Sequence, residues 1–203
     1  MITVFISILL IVSIFIYYKI AINDNRELVV NLSDIEQMNI GAEMPRLLYA
    51  DNNSAVMQGT FGLVVYNISD SRVTNRMSYE QLKSYGISML YAAVSRDGTT
   101  IYIGSDNMNS GRNLTHQYNI RTGEMRKISQ QPAKVFKPIR IESPGYNKQY
   151  DKYFDFQYLI NDTIVEVDDS FIYLRANSDW SMKSLQLIIC QYADGASEIY
   201  NVF

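Results

Sequence analysis

The stretch from Leu47 to Ile68 constrains the fold most: Leu47-Leu48-Tyr49, Ala55-Val56-Met57 and Leu63-Val64-Val65-Tyr66 are short apolar runs separated by Asp51-Asn52-Asn53 and by Gly59 and Gly62. Runs this short, bounded by residues that tolerate tight turns, predict a β-meander of strands about five residues long. Pro45 suits the start of the first strand, and Asp70-Ser71 turns the chain toward a fourth strand at Val73. A second copy follows, since Asp97-Gly98 and Thr100 to Ile103 repeat a turn and strand, and Tyr118-Asn119-Ile120 repeats Tyr66-Asn67-Ile68. An internal period of about 50 residues predicts four-stranded, blade-like sheets.

Between the copies, Ser78-Tyr79-Glu80-Gln81 has the spacing of a capping box and Gly86 stands where a left-handed cap would end a short helix. The second repeat carries strands at Ala92 to Val94, Thr100 to Ile103, Leu114 to Ile120 and Met125 to Ile128, with Asp106 to Arg112 as a polar insertion at a loop tip. Three of the four prolines fall in residues 129–151, which predicts an irregular crossing there. Strands resume at Tyr153 to Ile160, Thr163 to Val167, Phe171 to Arg175, Leu185 to Tyr192 and Ser197 to Phe203, and Asp168-Asp169 and Asp194-Gly195 read as their turns.

Ahead of the meanders, residues 2–18 carry no charge and are mostly β-branched or aromatic, with Tyr17-Tyr18 and Lys19 like an interfacial belt. They predict a transmembrane anchor at residues 1–22, uncleaved because Lys19 sits at the upstream position of the one plausible cut, after Ala21. Residues 23–43 read as a linker with Leu28-Val29-Val30 as a strand and a short helix capped at Ser33. The expected architecture is mostly β: the anchor, two blade-like repeats over 44–130 forming part of a propeller-like array, a C-terminal β-unit over 131–203 packed on them, and one or two short helices. Positive charge favours a cytoplasmic domain, but long domains follow such an anchor outward largely regardless of charge, so an extracytoplasmic domain is expected.

The formal charge of −3 and the pI near 5.2 leave no basic footprint for nucleic acid. His116 is the sole histidine and Cys190 the sole cysteine, which excludes a two-imidazole metal site and an internal disulfide. Cys190, within Leu187-Ile188-Ile189-Cys190, reads as a core residue. No nucleophile elbow, phosphate loop or dinucleotide fingerprint is present, so no catalytic residue, cofactor or metal ligand is assigned. Trp180, in Ser178-Asp179-Trp180-Ser181, is the one residue singled out as a possible interaction surface.

Met44-Pro45-Arg46-Leu47-Leu48-Tyr49-Ala50-Asp51, Gly62-Leu63-Val64-Val65-Tyr66 and Asp179-Trp180-Ser181-Met182-Lys183-Ser184-Leu185 resemble the propeller-like carboxyl-terminal segment of bacterial antirepressor membrane metallopeptidases of the β-lactam sensor kind, over residues 44–203. The resemblance implies an extracytoplasmic sensory segment without the multi-helix peptidase part. The expected function is therefore a membrane-anchored, non-catalytic β-domain for sensing or for binding a protein or ligand, with a protein partner or a second copy as possible company. The alternatives are a hydrolase that uses carboxylates alone on carbohydrate, and a structural assembly subunit.

Overall fold

The computed structural model describes residues 44–107, 111–141, 159–176 and 182–203. The anchor at 2–18, the linker and helix of 23–43 and Trp180 lie outside the described residues. Among those described, no helix is long and apolar enough to cross a membrane.

The fold is mostly β, with three antiparallel sheets and one short helix, and it does not form a closed propeller. The first sheet is the meander β1 (Arg46–Ala50), β2 (Ser54–Gly59), β3 (Gly62–Asn67) and β4 (Arg72–Met77). The second is the meander β5 (Leu90–Val94), β6 (Thr100–Asn107), β7 (Gly111–Asn119) and β8 (Met125–Lys127). The third orders β13 (Ser197–Asn201), β12 (Gln186–Gln191), β11 (Ser170–Arg175), β10 (Leu159–Val167) and β9 (Ile139–Arg140). Helix α1 (Tyr79–Ser84) joins the first two sheets.

Three strand assignments differ from the sequence reading, the first being that Ile160 and Thr163 belong to one strand, β10, and not to two. Of the expected loop tip from Asp106 to Arg112, Asp106, Asn107, Gly111 and Arg112 are ladder, paired as Asp106↔Arg112 and Asn107↔Gly111, and 108–110 lie outside the described residues. Cross-strand pairing keeps polar residues in a ladder wherever both faces of a hairpin can meet water, so polarity alone does not mark a loop. The proline-rich crossing also contains β9, which pairs Ile139 with Ile164, and a bridge from Ser95 to Val135.

The first sheet is buried on both faces. Ala55 and Met57 of β2 and Val64 and Tyr66 of β3 join the third sheet's Val165, Ile172, Leu174 and Leu187 in one cluster. Their strand neighbours Val56, Leu63 and Val65 join Leu90, Ala92, Val94, Ile101 and Ile103 of the second sheet in another. Successive side chains point to opposite faces, so a strand buried on both reads as an unbroken apolar run. On β1 a register shift between Leu47 and Tyr49 lets Leu48 and Tyr49 both serve the second-sheet side while Leu47 and Ala50 serve the other. Each fully buried aliphatic contributes about 1.5–3 kcal/mol, so this middle layer dominates the packing energy.

Polar ties fix the layers. Gln58 is buried and donates to the Leu90 carbonyl (3.1 Å), while the Tyr118 hydroxyl donates to Asn75 Oδ1 (3.2 Å), both joining sheets one and two. The Tyr66 hydroxyl donates to the Asn201 carbonyl (3.3 Å), joining sheets one and three. Ser78 caps α1 reciprocally, accepting from Gln81 N (3.4 Å) while Ser78 N donates to Gln81 Oε1 (2.8 Å), and Gly86 at φ 77° ends the turn.

Candidate functional site on the outer face of the second sheet

The inner residues of the second sheet alternate with a set pointing the other way. Cross-strand partners share a face, so the pairs Ala93↔Tyr102, Tyr102↔Gln117 and Gln117↔Arg126 make one row across all four strands, and Thr100↔Asn119 begins the next. Here the outer side chains are hydroxyls, amides and ions, with Tyr102 partly exposed among them.

Two turns hold this face. In the β5–β6 turn, Asp97 Oδ1 accepts from Ser95 Oγ (2.6 Å), Thr99 Oγ1 (2.9 Å) and Thr99 N (3.2 Å), and Gly98 adopts φ 68°. The Ser95 hydroxyl, then the Thr99 groups, hold the Asp97 carboxyl below its ordinary range. In the β7–β8 turn, Asn119 Oδ1 accepts from Arg121 N and Thr122 N (both 2.9 Å), leaving its Nδ2 outward as a donor. Two residues on, Glu124 receives Arg126 in a fork, Nε to Oε1 at 2.6 Å and Nη2 to Oε2 at 2.7 Å. The hydrogen bond and then the charge of Glu124 raise the Arg126 pKa, and the contact is two-pronged although both side chains are more than half exposed.

Thr100, Gln117, Asn119, Thr122, Glu124 and Arg126 line a shallow groove of about 190 Å³. Pockets for drug-sized ligands run to about 300–1,000 Å³ with mostly apolar walls, so this groove fits one hydrophilic unit lying on the surface. Among the described residues, the Gln117 amide, Asn119 Nδ2 and the Thr122 hydroxyl have no hydrogen-bond partner in the protein. Water or a ligand completes them.

The residues singled out from sequence stand elsewhere. His116 lies in β7 opposite Ile103, only 4% exposed, with Nδ1 2.9 Å from Thr115 Oγ1 and its ring edge-on to Tyr85. Burial, then the charge of Lys127 opposite it in the ladder, lowers its pKa. Cys190 is buried on the outer face of the third sheet beside Phe171 and Ile188. Asp168-Asp169 is the turn between β10 and β11, with Asp168 at φ 50° and its Oδ2 accepting from Asn52 Nδ2 (2.8 Å). No group of three metal-ligating side chains occurs among the described residues.

Sequence reasoning missed the groove because each of its residues looks like ordinary strand or turn composition. The available signal was the alternation of Gln117 and Asn119 against His116 and Tyr118, which separates a polar face from a packed one. Compared with family models, curated proteins and solved structures, the chain matches none.

Proposed function

We propose that the chain is a non-catalytic binding module, tethered to a membrane by residues 2–18 and displayed on the extracytoplasmic side, whose contact surface is the outer face of the second sheet. The observation that supports this reading is that face itself: amides and hydroxyls that have no protein partner among the described residues, beside a two-pronged ion pair, on a sheet whose other face is packed. Side chains on a strand scaffold are held with little freedom, which lowers the entropy lost on binding.

In this reading the three sheets are consecutive blades of an open, propeller-like array. The placement of β1 beside β5 and β10, as neighbouring inner strands of a propeller would lie, favours it, and so does the resemblance of residues 44–203 to the sensor segment. The test of display is protease treatment of whole cells carrying the chain. Cleavage of the domain in intact cells is expected; a domain that survives until lysis and is digested afterwards refutes the extracytoplasmic placement. Substitution of Gln117 and Arg126 by Ala is expected to abolish ligand capture without lowering the melting temperature.

A further inference from the structure

The groove's chemistry narrows what it takes, and on the binding reading above we infer that its ligand is a neutral, hydroxyl-rich molecule, a saccharide unit presented at the end or along the length of a chain. The lining excludes the other common classes. An anion or a cation would find the Arg126 and Glu124 charges already cancelling one another in their two-pronged contact. An apolar ligand would strip water from a lining that is mostly polar.

A vicinal pair of hydroxyls meets none of these objections. Each hydroxyl both donates and accepts, as does each amide side chain, so Gln117 and the Asn119 Nδ2 donor complement adjacent hydroxyls in a plane. Glu124 and Arg126, joined in the fork, present their remaining lone pairs and N–H groups side by side, the arrangement in which charged groups bind a neutral polyol without a net charge to desolvate. Tyr102 stands next to Gln117 in the same row, outside the groove's own lining and partly exposed, so a sugar that extends beyond the groove along this row meets an aromatic side chain. Tyr91, farther along the face, is already covered by the Arg112 guanidinium 4.8 Å from its ring centroid, so Tyr102 is the ring that carries the stacking.

The experiment is hydrogen–deuterium exchange of the full chain with millimolar maltohexaose, with chitotetraose, and with an envelope extract of the host cell before and after periodate, which cleaves vicinal diols. Slowed exchange over residues 100–126 with either oligosaccharide, with affinity falling about tenfold in both Gln117→Ala and Tyr102→Ala while circular dichroism is unchanged, is the expected result. Protection of this face by the extract that periodate removes supports the same ligand class. If the oligosaccharides give nothing and the extract protects equally before and after periodate, the saccharide inference falls and the binding reading stands. Protection confined to other residues, or none with any probe, overturns both.

Discussion

Gly104 tests the packing of the second sheet most sharply. It sits in β6 at the register shift between Ile103 and Gly104, its backbone pressed against β7. A Cβ placed there overlaps the Asn113 carbonyl oxygen and stands 2.7 Å from both Asn113 C and Leu114 Cα. Carbon atoms are most comfortable at about 3.5–4.0 Å, so Gly104→Ala requires the β7 backbone to retreat by roughly 1 Å. The obstacle is main chain in a paired strand, which no rotamer change relieves. The cost belongs at the upper end of overpacking, about 3 kcal/mol, or a fall in melting temperature of about 6–12 °C for a chain of this size.

Gly86→Ala is the control. Gly86 has φ 77° with nothing within 4 Å of a built Cβ, so it pays only the left-handed penalty of about 1–2 kcal/mol, partly offset by a less flexible unfolded chain. Its melting temperature should fall by about 1–4 °C. Circular dichroism melts of the full-length variants read both. Equal losses, or a larger one at Gly86, would show that β6 and β7 do not approach as described.

Stability should be level above pH 6.5 and decline as the pH falls below it, because His116 is held below its ordinary pKa of 6.5 in the folded chain and the unfolded chain takes up the proton first. Melts from pH 7.5 to 5 check this, with His116→Gln flattening the decline; greater stability on acidification would contradict it. Asp97, also held low, acts only in the more acidic range of carboxylates. Ser78→Ala should cost about 1 kcal/mol by removing the acceptor for Gln81 N, and Ser78→Asp should restore most of it in the same melts. Cys190, 1% exposed, should react with a thiol reagent only on unfolding, so its labelling rate in increasing urea should track the loss of circular dichroism.

The local structure of the meanders was largely legible because it rests on chemistry spelled out by neighbours in sequence. Asp51 accepts from Asn53 N and Ser54 N, Asn67 Oδ1 from Asp70 N, and Asp194 Oδ1 from Ala196 N, so the turns lie where those residues stand. The capping box of α1 and the turn at Asp168-Asp169 follow the same rule. The pairing of Asp106 with Arg112 and of Asn107 with Gly111, at the flanks of the expected loop tip, is not legible locally because it depends on the strand opposite. The order of the layers was not legible for a similar reason. Which apolar face meets which is decided between residues far apart in the chain, such as Gln58 and Leu90 or Tyr66 and Tyr200, and no local pattern encodes it.

The two outer faces of the layered sheets explain why the candidate site belongs on the second. On the third sheet the outward row runs Ile139, Ile164, Tyr173, Ile188 and Ile199 across all five strands, apolar throughout. Its central members are buried, Ile164 at 0% and Ile188 at 1%, so a soluble ligand reaches them only by opening the core. On the second sheet the corresponding row, Ala93, Tyr102, Gln117 and Arg126, grades from small apolar to charged and leaves its amide without a partner. Burying such an amide against another layer without replacing its water would cost about 1–3 kcal/mol, so this face is built to stay wet. Recognition there has to work through hydrogen bonds exchanged with water, which favours modest affinity and strict dependence on hydroxyl geometry over tight apolar capture.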